Sequence, residues 1–182
     1  TIGIPATIDN DITSTDHSIG FDTAVNTVIE MADRFRDTCE SHARCNVIEV
    51  MGRWAGDIAI NAGIACGAVA TVILEAPFDE AAMMAKVNRM KDNGQRSFLV
   101  IVAEGVENFS EGLAKRIQAE TGVETKFARL AHVVRGGNPT VRDRVYATRF
   151  GSAAVELLEK GIGNRVVGMN HGEIVDYDIF EA

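Results

Sequence analysis

The chain lacks most of what would tie a small protein together covalently or carry it into a membrane. It has only three cysteines, Cys39, Cys45 and Cys66. An odd number makes a poor disulfide framework, and their spacing matches no metal-binding pattern. They are expected to be buried, reduced thiols in a cytoplasmic protein. No apolar run approaches the ~18 residues of a bilayer span, and no signal peptide is visible, so no membrane partner is expected. Positive charge is not in excess either. The net charge is −8, whereas a general nucleic-acid binder is usually basic, so no nucleic-acid partner is expected. Repeats, linkers and low-complexity segments are missing. There is no initiating Met, and the chain opens at a strand end, as a piece or processed form of a longer protein would.

What is present is a core. Apolar residues make up 46% of the chain and charged residues 24%, which supports a folded domain and excludes disorder. The length of 182 residues fits one domain, or one with an appendage. Apolar residues at Phe21, Val25, Val28, Ala32 and Phe35 alternate four and three apart. That spacing predicts a long amphipathic helix to about Thr38, with Ser14, Thr15 and Asp16 as candidate caps. Apolar strands are predicted at Val47–Val50, Thr71–Leu74 and Phe98–Ala103. Thr125–Leu130, Arg165–Met169 and a short returning Glu173–Val175 complete the set. Helices are expected at Trp54–Ala65, Asp79–Lys91, Ser110–Glu120 and, from an Asn138-Pro139 start, to about Lys160. Alternation of this kind gives an α/β fold: three layers, a mainly parallel open sheet with helices on both faces, Rossmann-like.

Chemistry concentrates in a few loops. Pro5-Ala6-Thr7-Ile8-Asp9-Asn10-Asp11 follows a short apolar start. Carboxylates after a strand stand where α/β sheets place ligands, and Asp9 is a candidate general base with Thr7 beside it. The alternative is an Asx-turn leading into a helix. A calcium loop is excluded, because Ser14 and Gly20 stand where that loop needs Gly and Glu. Met51-Gly52-Arg53 follows another strand. Gly52 permits close backbone approach, and Arg53 is suited to phosphoryl oxygens. Glu104 ends a third strand; it is either a hydroxyl acceptor or a solvated or capping residue. His132 and Arg135 precede a Gly136-Gly137 turn, and both can reach one phosphate.

Charge is unevenly spread. Lys126, Arg129, Arg135, Arg142, Arg144 and Arg149 form a basic stretch holding one acid, Asp143. The remainder has 12 basic and 25 acidic residues. A basic island in an acidic chain suggests a small anionic ligand. For Arg142, Arg144 and Arg149, pairing with nearby carboxylates is the expected use.

The loops Pro5–Asp11, Met51-Gly52-Arg53 and His132-Val133-Val134-Arg135-Gly136-Gly137, in this order, resemble three motifs of the phosphofructokinase family. The resemblance runs through nearly the whole chain. It implies that residues 1–182 are the fructose 6-phosphate half of such an enzyme, without the half that carries the glycine-rich nucleotide loop. It also implies transfer of a phosphoryl group from MgATP to the 1-hydroxyl of fructose 6-phosphate, in glycolysis. By this resemblance Asp9 is the base, Thr7 positions the hydroxyl, Arg53 stabilises the transferred group and Asp11 orients Asp9 or the magnesium shell. Met51, Gly52 and Glu104 hold the sugar; His132 and Arg135 hold its 6-phosphate. Arg44 and Lys126 reach a neighbouring subunit's site, so a homo-oligomer, dimer or tetramer, is implied. Lys126 departs from the family's arginine and loses the planar fork. Ala6 is typical of ATP users, where pyrophosphate users place lysine; pyrophosphate stays open as the alternative donor. The stretch Gly67 to Val69 is neutral where bacterial relatives carry an acidic effector residue, leaving Arg36 and Arg96 as candidate effector contacts.

Overall fold

The computed structural model describes all 182 residues, Thr1–Ala182. In chain order the elements are β1 (Ile2–Gly3), α1 (Phe21–His42), β2 (Cys45–Val50), α2 (Asp57–Ala65), β3 (Ala70–Val72), α3 (Glu80–Asp92) and β4 (Phe98–Ala103). Then follow α4 (Ser110–Thr121), β5 (Thr125–Arg129), a 3-10 helix (Ala131–Arg135), α5 (Val141–Glu159), β6 (Arg165–Asn170) and β7 (Glu173–Asp178). No helix is long and apolar enough to cross a membrane. The chain forms two compact units, Val25–Gly136, and Thr1–Ala24 with Gly137–Ala182.

Val25–Gly136 carries the expected architecture. Its four strands are all parallel, in the order β3-β4-β2-β5. Every residue of β2 and β4 is buried. That explains their unbroken apolar runs, because a sheet covered on both faces needs apolar side chains on both. On one face Val47, Val100 and Val102 pack with Met83, Met84 and Val87 of α3 and Leu113, Ala114 and Ile117 of α4. Leu113 and Ile117 are fully buried, each contributing about 1.5–3 kcal/mol. On the other face the Asn46 amide donates to Cys39 Sγ of α1 at 2.9 Å. There α2 presses on β3 so closely that a Cβ at Gly63 would collide with Thr71 Oγ1. All three cysteines are free and buried, and burial pushes the Cys45 thiol up to about 12.

The other unit has its own sheet, β1-β6-β7, so the strands form two sheets rather than one. β1 runs parallel to β6, and β6 returns through His171-Gly172 to antiparallel β7. Phe150 and Ala154 of α5 pack on Val167 and Met169. Asp143 of α5, 3% exposed, accepts from the Gly20 and Thr23 backbone N–H groups and from the Thr23 hydroxyl. It thereby caps α1 from a distant part of the sequence.

Several boundaries differ from expectation. Ser14, Thr15 and Asp16 cap no helix, because α1 begins at Phe21. Thr15 Oγ1 instead accepts from Met169 N at 2.9 Å. The cap of α5 is Thr140, whose hydroxyl accepts from Asp143 N, rather than Asn138. Arg142 does meet a carboxylate, Asp22, at 3.5 Å, whereas Arg144 donates to the Pro139 carbonyl.

Candidate functional site

The Pro5–Asp11 loop is held by one internal bond and by Ser18. Thr7 Oγ1 accepts from Asp9 N at 3.2 Å, and the Ser18 hydroxyl donates to Thr7 O at 2.7 Å. Asn10, at φ 56°, accepts from Ser18 N at 2.9 Å. The loop does not lead directly into a helix; it pairs with the segment before α1 through Ala6 and Ile19. Asp9 is buried and Asp11 exposed.

At the carboxyl ends of β2 and β4 the structure joins two predicted groups. Glu104 Oε1 accepts from Gly52 N at 3.3 Å and from Arg53 N at 2.9 Å. One side of the glutamate therefore fixes the turn that presents Met51, Gly52 and Arg53. The turn demands glycine. Gly52 has φ 146°, and a Cβ there would lie 2.5 Å from the Ala55 carbonyl oxygen. Arg53 itself is at φ 54°, an uncommon conformation for a non-glycine residue that is worth tracing to function. Arg53 and Glu104 line a cavity of about 420 Å³ with Glu49, Trp54, Asn108 and Arg129.

His132 and Arg135 sit on the 3-10 helix that follows β5. Residues three apart eclipse in that helix type, so both side chains stand on one face. Both are exposed, while Val134 between them is fully buried and anchors the turn. Leu130 N, just before the helix, donates to Glu49 O at 3.0 Å.

Arg44 and Lys126 lie elsewhere, at the amino ends of β2 and β5. Glu124 bridges them: Arg44 Nε donates to Oε2 at 2.7 Å, and Lys126 Nζ stands 3.0 Å from Oε1. The hydrogen bond from Arg44, then that from Lys126, draws the Glu124 carboxyl down to about 2. Sequence reading missed both Glu124 and Glu49; their proximity to cations depends on strand register, which pairs Cys45 with Thr125 and Glu49 with Arg129. Arg36 and Arg96 hold helix-end carbonyls, Arg36 at Cys66 O and Arg96 at Glu40 O and Ser41 O.

The fold and these loops define an α/β protein whose candidate ligand-binding residues stand at the carboxyl rim of a parallel sheet, where such folds place ligands. The chain belongs to the phosphofructokinase family: residues 1–158 match the family pattern described as Phosphofructokinase. It is 51% identical over 180 residues to the ATP-dependent 6-phosphofructokinase of Bacillus subtilis, covering 99% of this chain and 56% of that protein. It thus spans about half the length of the curated relatives it matches. Among solved structures, phosphofructokinase from Saccharomyces cerevisiae superposes with a TM-score of 0.91 at 32% identity, covering 99% of this chain and 26% of that one. A pyrophosphate-dependent phosphofructokinase from Marinobacter aquaeolei gives 0.81 at 25% identity, over 99% and 51%.

Proposed function

We propose that residues 1–182 serve as the fructose 6-phosphate-binding part of an ATP-dependent 6-phosphofructokinase, a glycolytic kinase. The carrying observation is the rim of the four-stranded sheet. There Glu104 shapes the Met51-Gly52-Arg53 turn beside a cavity they share, in a chain about half identical to ATP-dependent members.

In this reading Asp9 removes the proton of the sugar 1-hydroxyl while that oxygen attacks the γ-phosphorus of ATP. The bond to the ADP oxygen breaks, and the proton stays on the carboxylate until solvent takes it. Thr7 orients the hydroxyl, and Asp11 orients Asp9. Arg53 carries the charge spreading over the transferred group. Met51, Gly52 and Glu104 hold the sugar, and His132 and Arg135 its phosphate. Mg2+ enters this reading only as part of the MgATP substrate. Ala6 and the ATP-dependent relatives favour ATP over pyrophosphate.

Arg44 and Lys126 support a shared site. From Cys45 to Val50 the strand climbs about 17 Å, so cations at its amino end do not reach a ligand at its carboxyl rim within one chain. A neighbouring subunit of a dimer or tetramer supplies them. The buried free thiols fit a reducing cytoplasm.

Because the chain spans 56% of its relatives, its own expected behaviour is sugar-phosphate binding and self-association without turnover. Calorimetry with fructose 6-phosphate tests this. Saturable binding by the chain, with ATP but not pyrophosphate supporting turnover of the full-length enzyme, is the expected result. No binding rejects the reading, and turnover with pyrophosphate alone rejects the donor.

A further inference from the structure

One charged pair at the rim has no part in the scheme above. Glu49 is the only acidic residue of β2 and is 6% exposed. Its Oε1 accepts from Arg129 Nε at 2.5 Å across the β2–β5 pairing. Arg129 is the last residue of β5, with 62% of its side chain exposed. Its guanidinium carbon lies 5.7 Å from the centre of the Phe127 ring. A buried carboxylate and its partner are costly to desolvate, and apolar residues at such places are often no less stable. This pair also stands in the wall of the cavity lined by Arg53, Trp54 and Glu104, not deep in the core. A guanidinium bound through Nε keeps its terminal N–H groups for a second acceptor. The two terminal nitrogens of Arg129 suit phosphoryl oxygens, which take planar bidentate bonds.

We propose that Arg129 is a further ligand-binding residue of this cavity, held by Glu49 as its positioning residue, and that it grips a phosphoryl oxygen of the bound ligand. The inference rests on the reading of the cavity as a sugar-phosphate site. Arg129 lies three residues before His132, and Glu49 holds both the Arg129 side chain and, through its carbonyl, Leu130. One buried residue thus places the new cation and the start of the phosphate-holding turn together.

The chain contains its own reporter. Trp54 is its single tryptophan, lines the cavity and is 66% exposed. Its fluorescence is titrated with fructose 6-phosphate and with unphosphorylated fructose, and calorimetry runs in parallel. The unaltered chain is expected to respond saturably to the phosphate ester and far more weakly to fructose. Arg129→Leu weakens binding of the ester roughly tenfold or more, Arg129→Lys restores part of it, and the fructose response does not move. Arg129→Leu alone leaves the buried Glu49 carboxylate without its partner. The double change Glu49→Gln with Arg129→Leu therefore repeats the test without an isolated charge. Equal affinity for the ester in the unaltered and Leu-bearing chains overturns the inference and leaves the reading of the cavity standing. No response to the ester from the unaltered chain, by fluorescence or calorimetry, overturns that reading and this inference with it.

Discussion

The two ends of the four-stranded sheet hold their charged groups in different ways. At the carboxyl rim the backbone does the work: Glu104 binds two N–H groups of a turn whose glycine has no room for a Cβ. At the amino end only side chains meet, with Glu124 spanning Arg44 and Lys126 at a largely solvated surface. The rim is therefore pre-shaped and intolerant of change, whereas the amino end is adjustable and weakened by salt. This contrast fits a rim that meets the reacting part of a ligand, and an amino end that lends charge to a neighbouring molecule.

The largest effect is expected from the loop assigned to the chemistry. In the full-length enzyme Asp9→Asn should lower turnover by about 10²–10⁴ and leave fructose 6-phosphate affinity nearly unchanged; steady-state kinetics measures both. Near-normal turnover removes the base assignment. Next comes the rim itself. Gly52→Ala forces its methyl against the Ala55 carbonyl at an unfavourable φ, costing about 1–3 kcal/mol. Thermal unfolding should shift down by several degrees, with sugar-phosphate binding lost. A variant that melts and binds normally shows that the turn is not preformed.

The amino end should behave otherwise. Arg44→Ala should raise KM for fructose 6-phosphate about tenfold while kcat holds, and leave the melting temperature of the chain almost unmoved. A loss of kcat instead would place Arg44 with the reacting groups. The smallest effect concerns protons. The Glu124 carboxyl is held at about 2 against an ordinary 4.5 by its hydrogen bonds to Arg44 and Lys126. A depressed carboxyl stabilises the fold above its unfolded value and loses that contribution as pH falls from about 4.5 through 2. An NMR titration should show Glu124 protonating well below the ordinary 4.5, and Arg44→Ala should move it back up. An ordinary midpoint would dissolve the triad.

Much of this was legible because physics left a strong local signal. β4 is an uninterrupted apolar run ending at Glu104, and its bounds agree with expectation. The apolar spacing of α1 gave the helix, though not its start. The true cap is supplied by Asp143, more than a hundred residues away, and no local pattern encodes that. The 3-10 helix bearing His132 and Arg135 is too short to show a period. Glu49 and Glu124 looked like ordinary acids, because only the register of β2 against β5 brings Glu49 to Arg129 and Arg44 to Glu124. Residue types alone suggested chemistry for the motif loops, but the tie from Glu104 to Gly52 and Arg53 joins residues 52 and 51 apart, and no local pattern encodes it.

The most direct measurement is a crystal structure of the chain with fructose 6-phosphate bound. The account predicts the phosphate on the shared face of His132 and Arg135, and the sugar against Met51, Gly52 and Glu104. A well-occupied ligand seated elsewhere, for instance in the groove between α5 and β7 lined by Arg149 and Lys160, would contradict it.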